Sequence, residues 1–483
     1  KVLNLTLKDV KIDVSDTGIL GTSIKGKAAL SVQGQGNVEI ELDGDNELKS
    51  GVNRAGLEKN TSEGTLTLKD DKEAGSGSLK ATGGENGAGI GGGNRGSGEA
   101  ITITGGTVNA AGGRFGAGIG GGLLGSGKNI TITDGTVNAA GGQFGAGIGG
   151  GDRGSGEDIT IKGGTVNAAG GLQAAGIGGG NGGGGIGGGL LGSGKNITIT
   201  GGTVNTTGGD NGGAGIGGGD YGSGEDITIN GGTVTAAGGW GAAGIGGGER
   251  GNGEDITITD GTVNAAGGVS GAGIGGGFLG SGSNVTVSGA AQVTAIAGKP
   301  DWGGAGATIG SGGNETGGQP VDGDELQADI DGLTTGYIHH IIYEQDGTTI
   351  KKEWREPERP QPNPEDPNAP AEESNEVDLG TPGLHVETLE GDLLPFDAQQ
   401  QGSTLRVTSN TLAARLHGTR QALEALREQG VEQIEFVTSF KTTTLSVAEL
   451  LAEGGSWFAL EHNGLVSRQL SAAQAESLKC RMR

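Results

Sequence analysis

Residues 98–126 read GEAITITGGTVNAAGGRFGAGIGGGLLGS, and residues 127–155 repeat the pattern as GKNITITDGTVNAAGGQFGAGIGGGDRGS. Within each 29-residue unit three short segments alternate with a period of two: Ile101-Thr-Ile-Thr, Thr107-Val-Asn-Ala and Ala117-Gly-Ile-Gly, separated by Gly pairs or a Gly-Ser-Gly turn. A period of two is the strand signature, whereas a helix would return every three or four residues. Three strands joined by turns of Gly and small polar residues describe one coil of a parallel β-solenoid, with coils stacked about 4.8 Å apart. Ile101, Ile103, Val108, Ala110, Ala117 and Ile119 then face inward, while Thr102, Thr104, Thr107 and Asn109 face outward. So few inward Ile and Val cannot order a coil by themselves, so stability has to be cooperative along the array and the ends need caps.

Working outward, the Ile of the Ala-Gly-Ile-Gly-Gly-Gly block recurs at Ile90, Ile119, Ile148, Ile177, Ile216, Ile245 and Ile274. The step is 29 residues except between Ile177 and Ile216, where it is 39 and a partial copy around Ile186 intervenes. Ile-Thr-Ile keeps the same frame from Ile101, Ile130, Ile159, Ile197, Ile227 and Ile256, with Val285 as a worn last copy. Of the 114 Gly, 88 lie between Gly83 and Gly313, and with only 10 Pro and no three-residue period a collagen is excluded. Residues 1–89 read as irregular entry coils and 90–313 as the regular solenoid. Residues 314–353 read as a closing β-hairpin around Tyr337-Ile-His-His-Ile-Ile-Tyr and the Asp346-Gly347 turn. Residues 354–380 read as an acidic Pro-rich linker, and 381–483 as a small α/β or α+β domain. In that domain, strands at Thr404–Thr408 and Gln433–Thr438 are expected to flank an amphipathic helix carrying Leu412, Leu416, Leu423 and Leu426.

A net charge of −25 repels phosphate backbones and anionic lipid, which argues against nucleic acid as a partner. No window approaches the ~20 apolar residues of a membrane span, so membrane insertion is not expected. The single thiol, Cys480, excludes an internal disulfide framework and a cysteine-based zinc site. The start at Lys1, without Met or an apolar leader, reads as a mature product or an excised fragment. All five His (His339, His340, His385, His417 and His462) lie outside the repeat, and none has metal-ligand spacing. No Gly-Lys-Ser/Thr follows the Gly blocks, so they are structural and not phosphate loops. These features together predict a protein that is not an enzyme and carries no cofactor, with Ca²⁺ as the one open exception.

The blocks Gly87-Ala-Gly-Ile-Gly-Gly-Gly and Gly98-Glu-Ala-Ile-Thr-Ile-Thr-Gly-Gly-Thr-Val-Asn-Ala, with their copies, resemble the glycine-rich, carbohydrate-binding-type β-helix repeats of surface or secreted proteins of anaerobic Gram-positive bacteria. The resemblance covers residues 1–313. It implies a right-handed, extracellular parallel β-helix on an adhesin-like protein, secreted or held at the bacterial cell surface, with polysaccharide or host and bacterial glycans as partners. It brings no catalytic motif.

Several residue sets stand out as candidate sites. Phe115, Phe144 and Trp240 follow the Ala-Ala-Gly-Gly segment, while Tyr221 and Phe278 follow the Gly-Gly-Gly segment; rings on a rigid wall could stack on sugar faces. Glu225, Asp226, Glu254 and Asp255 put four carboxylates on adjacent coils that could hold Ca²⁺. Leu123, Leu124, Leu190, Leu191, Phe278 and Leu279 form apolar pairs on alternate coils that could make a self-association surface. The outward file Thr102, Thr131, Thr160, Thr198, Thr228, Thr257 and Thr286 suggests an ice-binding grid, although Lys162 interrupts the file beside it. The expected function is a non-catalytic adhesion or display module that binds glycans. A self-associating structural protein of filament or surface-layer type is the alternative, and ice binding comes third.

Overall fold

A computed structural model describes residues 2–21, 24, 26–59, 63–71, 77–181, 192–301, 303–347, 349–357, 384–389, 393–394, 396–409, 411, 413–438, 441–463, 466–471 and 474–475. The chain divides into two compact units, residues 1–359 and 360–483.

The first unit is a parallel β-solenoid with three strands per coil. In the coil that starts at Gly98 these are Gly98–Ile103, Thr107–Ala111 and Ile119–Gly120. Each strand pairs in parallel with its copy one coil on, Ile101 with Ile130, Val108 with Val137 and Ile119 with Ile148. The period-two pattern decides which side chains go inside: Ile130, Ile132, Val137 and Ile148 are fully buried, and Ala139 is 3% exposed. The irregular opening stretch obeys the same frame, since Leu66 and Leu68 sit in register with Ile101 and Ile103. The third strand file runs as one ten-stranded ladder from Leu30–Val32 to Ile309–Gly310. Ile177 pairs directly with Ile216 across the 39-residue step, and the partial copy around Ile186 lies outside the described residues.

At the far end of the array Tyr337–Tyr343 pairs in parallel with Gln292–Ile296 and antiparallel with Ile350–Glu356. The carboxylate of Glu325 accepts the N–H of Thr308 (2.8 Å) and of Ile309 (3.3 Å), filling edge donors that have no next coil. No helix among the described residues is long and apolar enough to cross a membrane.

The second unit has two sheets and two helices. One sheet is antiparallel, in the order Leu393–Leu394, Leu384–Glu387, Ala413–Thr419, Trp457–Asn463, Val466–Leu470. The other joins Asp397–Gln401, Thr404–Thr408, Gln433–Thr438 and Lys441–Ser446. The expected helix is corrected here. Leu416 lies on the Ala413–Thr419 strand opposite Leu460, and the helix starts only at Arg420, where the Thr419 hydroxyl caps the Ala422 N–H at 3.1 Å. Leu416 therefore shared a helical spacing with Leu423 and Leu426 by coincidence; Leu412 lies outside the described residues, as does the linker from 358 to 383.

Candidate functional site

Every regular coil carries two variable turns, one after its second strand and one after its third. The structure sews them together. The N–H of Asp152 donates to the Phe115 carbonyl (2.9 Å), that of Asn181 to Phe144 (3.1 Å), that of Asp220 to Gln173 (2.8 Å) and that of Phe278 to Gly241 (2.6 Å). The third-strand turn of one coil thus rests on the second-strand turn of the coil before it. Phe115, Phe144, Tyr221, Trp240 and Phe278, which come from two different turns in the sequence, therefore share one corner of the solenoid.

Their rings are not equally available. Phe115 and Phe144 stack on each other with centroids 5.4 Å apart and planes 18° apart, and the Arg114 guanidinium lies over both, 4.9 and 5.8 Å from their centroids. Arg250 covers Tyr221 at 4.9 Å. Trp240 is the open ring of the set, 37% exposed, with the half-buried Phe278 6.1 Å away.

Between the rings the corner is polar. Asp152 and Asn181 are buried neighbours, with the Asn181 amide donating to Asp152 at 3.2 Å. Burial holds the Asp152 and Glu249 carboxyls above the ordinary range. Asp220 is 5% exposed and accepts from the Gln173 amide at 2.9 Å, while its Oδ1 has no hydrogen-bond partner. Burial first, and then the nearby Glu249 charge, push its carboxyl up to about 7.

Backbone geometry separates two sets of residues that look alike in sequence. Asn129, Asp158, Asn196, Asp226, Asp255 and Asn284 all adopt left-handed backbone, φ 51–55°. Asn and Asp tolerate that conformation best among residues with a side chain, which accounts for Asp226 and Asp255 without a cation. The four carboxylates of the expected Ca²⁺ site also have partners: Lys195 contacts Glu225 at 3.1 Å and Asp226 at 3.8 Å, the Asn252 amide bonds Glu254 at 3.2 Å, and the Asn284 amide bonds Asp255 at 3.0 Å.

Among the described residues, the second left-handed file contains no Asn, Asp or Gly. It consists of Arg95, Leu124, Arg153, Tyr221, Arg250 and Leu279, φ 57–63°, on the corner already described. Leu124 and Leu279 are each 45% exposed, whereas Leu123 is half-buried. Leu190 and Leu191 lie outside the described residues. Sequence reading missed this file because a left-handed backbone leaves no mark on side chains that do not favour it.

Sequence reading also missed two groupings. Asn109, Asn138, Asn167 and Asn205 form an amide ladder, in which the Nδ2 of Asn138, Asn167 and Asn205 each donates to the Oδ1 of the Asn one coil before at 2.8–2.9 Å. Their 29-residue recurrence was the available signal. The second grouping corrects the expectation about the histidines. Among the described residues, His385, Glu387 and His417 bring one ligand atom each within 4.8 Å of one another. His385 and Glu387 share a face of one strand, and His417 lies directly opposite His385 on the next. Linear spacing could not reveal a group made by strand pairing. Burial opposes ionisation of Glu387, yet the two imidazoles and the Arg415 guanidinium hold its carboxyl well below the usual carboxylate range. Of the other buried histidines, His340 stacks on Trp354 at 4.4 Å and bonds Thr308 through Nδ1 at 2.6 Å, while its buried Nε2 has no hydrogen-bond partner, and His462 bonds Thr438 and Thr443 at 3.0 and 2.9 Å.

A family model described as the beta helix repeat matches residues 101–123, 130–152, 159–181, 197–220, 227–249 and 256–278. A search of curated proteins and a search of solved structures each returned no match.

Proposed function

We propose that this chain, a β-helix repeat protein, is a non-catalytic, extracellular adhesion and display module that binds glycans along the turn corner of its solenoid. One observation carries the reading: the corner keeps long side chains at a backbone position where they are strained. Left-handed backbone costs a residue with a Cβ about 1–2 kcal/mol, and Gly or Asn would relieve it. Six coils nevertheless place Arg95, Leu124, Arg153, Tyr221, Arg250 and Leu279 there. Strain held at a repeated surface position is a mark of a working surface. Beside it Trp240 offers an open ring face, and the half-buried carboxyl of Glu249 offers hydrogen bonds to sugar hydroxyls.

The test is retention of the full chain on immobilised plant, mucin and bacterial polysaccharides, with and without Ca²⁺. Trp240→Ala is expected to abolish sugar-competed retention while leaving the melting curve in place. Equal retention by wild type and variant would reject the corner as the binding surface.

A second reading is favoured by the 45% exposure of Leu124 and Leu279: lateral self-association through the same corner. It predicts concentration-dependent sedimentation that Leu124→Asp suppresses.

A further inference from the structure

We infer that His385, Glu387 and His417 form a binding site for a borderline divalent transition metal of the Zn²⁺ class in the C-terminal domain. Three buried polar atoms there have no hydrogen-bond partner, His385 Nε2, Glu387 Oε2 and His417 Nδ1, and they belong to the three residues whose ligand atoms gather within 4.8 Å of one another. Orphaned buried polar atoms are costly singly; three from metal-ligating residue types, gathered at one place, form a ligand set. Glu387 is 1% and His417 0% exposed, whereas the His385 side chain, at 17%, provides the rim through which an ion would enter.

The surroundings orient each donor. The Ala475 carbonyl can only accept, so the 3.1 Å contact from His417 Nε2 places the proton there and leaves Nδ1 with its lone pair. That lone pair faces Glu387 Oε1 at 3.3 Å, an acceptor against an acceptor, which calls for a cation between them. Arg415 occupies Oε1 at 2.7 Å and leaves Oε2 turned toward His385 Nε2 at 3.6 Å. Arg415 is itself fixed by Glu461 (2.8 and 3.0 Å) and the Leu389 carbonyl (2.7 Å). With neutral imidazoles, two carboxylates and one guanidinium leave the cluster one negative charge to balance. Outer groups that lock ligand tautomer and carboxylate orientation are what metal sites require. Two His and one Glu suit Zn²⁺ and its neighbours over Ca²⁺ or Mg²⁺, and three protein ligands leave a coordination position for water or an added ligand.

The competing occupant is a proton on one imidazole, and the experiment separates the two. The full chain, stripped with chelator, is dialysed against Zn²⁺ and in parallel against Co²⁺, with Ca²⁺ and Mg²⁺ as competitors. The expected result is one equivalent of Zn²⁺ per chain, undisplaced by the hard cations, and a visible Co²⁺ ligand-field spectrum. Both signals are lost in His417→Ala and in the rim variant His385→Ala, whose half-buried rim position leaves folding intact if His417→Ala does not fold. Absence of stoichiometric Zn²⁺ and of the Co²⁺ spectrum in wild type, or their persistence in His385→Ala, overturns the assignment and leaves a protonated ion-pair cluster.

Discussion

Asp220 shows how one residue couples the corner to pH. Its carboxyl is pushed from 3.8 up to about 7 by burial and the Glu249 charge. Between those values the folded chain keeps a proton that the unfolded chain has released, so the stability this carboxyl contributes is full below pH 4 and is lost as pH rises toward 7. Asp220→Asn removes that slope and raises stability at pH 8, by an amount on the order of 2 kcal/mol. Urea midpoints of wild type and Asp220→Asn at pH 5 and pH 8 check this; a pH 5 to pH 8 change equal in the two proteins would show that Asp220 titrates normally. Leu124, at φ 59°, gives the complementary case. Leu124→Gly should stabilise the folded chain by up to about 1 kcal/mol while weakening whatever the corner binds, so a variant that melts earlier would contradict the strain argument.

At the scale of the element, the strand files explain why Gly follows the Ile of each third strand. Gly149 has φ 134°, and a Cβ there would lie 2.0 Å from the Gly178 carbonyl oxygen of the next coil. Gly149→Ala is expected to cost more than about 3 kcal/mol, because backbone cannot move aside as a flexible side chain can; thermal melting that matches wild type would disprove the close approach. The amide ladder makes a milder prediction. Asn138 bonds Asn109 and Asn167 at 2.8 Å each, so Asn138→Ala breaks two bonds of the file and should cost about 1–2 kcal/mol. The C-terminal helix teaches the limit of periodicity: Leu416, Leu423 and Leu426 are all buried, but a strand holds the first and a helix the other two. The Thr419 cap that divides them follows from local chemistry, and periodicity alone does not reveal it.

For the molecule as a whole, the main hydrophobic core of each unit, one along the coils and one between the C-terminal sheets and helices, predicts its own calorimetric transition, two in the full chain. Added Zn²⁺ should raise only the C-terminal one, since ligand binding stabilises the unit that holds it; a single transition, or a shift in both, would contradict independent folding. The solenoid was legible in the sequence because its determinants repeat: Ile101, Val108 and Ile119 recur every 29 residues with one interruption before Ile216, and each coil meets only its neighbours, so one unit read correctly gives the regular array. The candidate residues Phe115 and Trp240 were visible for the same reason, as rare aromatics in a regular frame. What the repeat could not show was which turns touch. That Asp152 bonds Phe115, that Trp240 meets Phe278, and that Leu124 and Leu279 sit in left-handed backbone depend on how one coil lies over the next. His385 and His417 are 32 positions apart in the chain and opposite one another in the sheet. Strand register brings them together, and register is set by packing on both faces of a sheet, which only the tertiary structure decides.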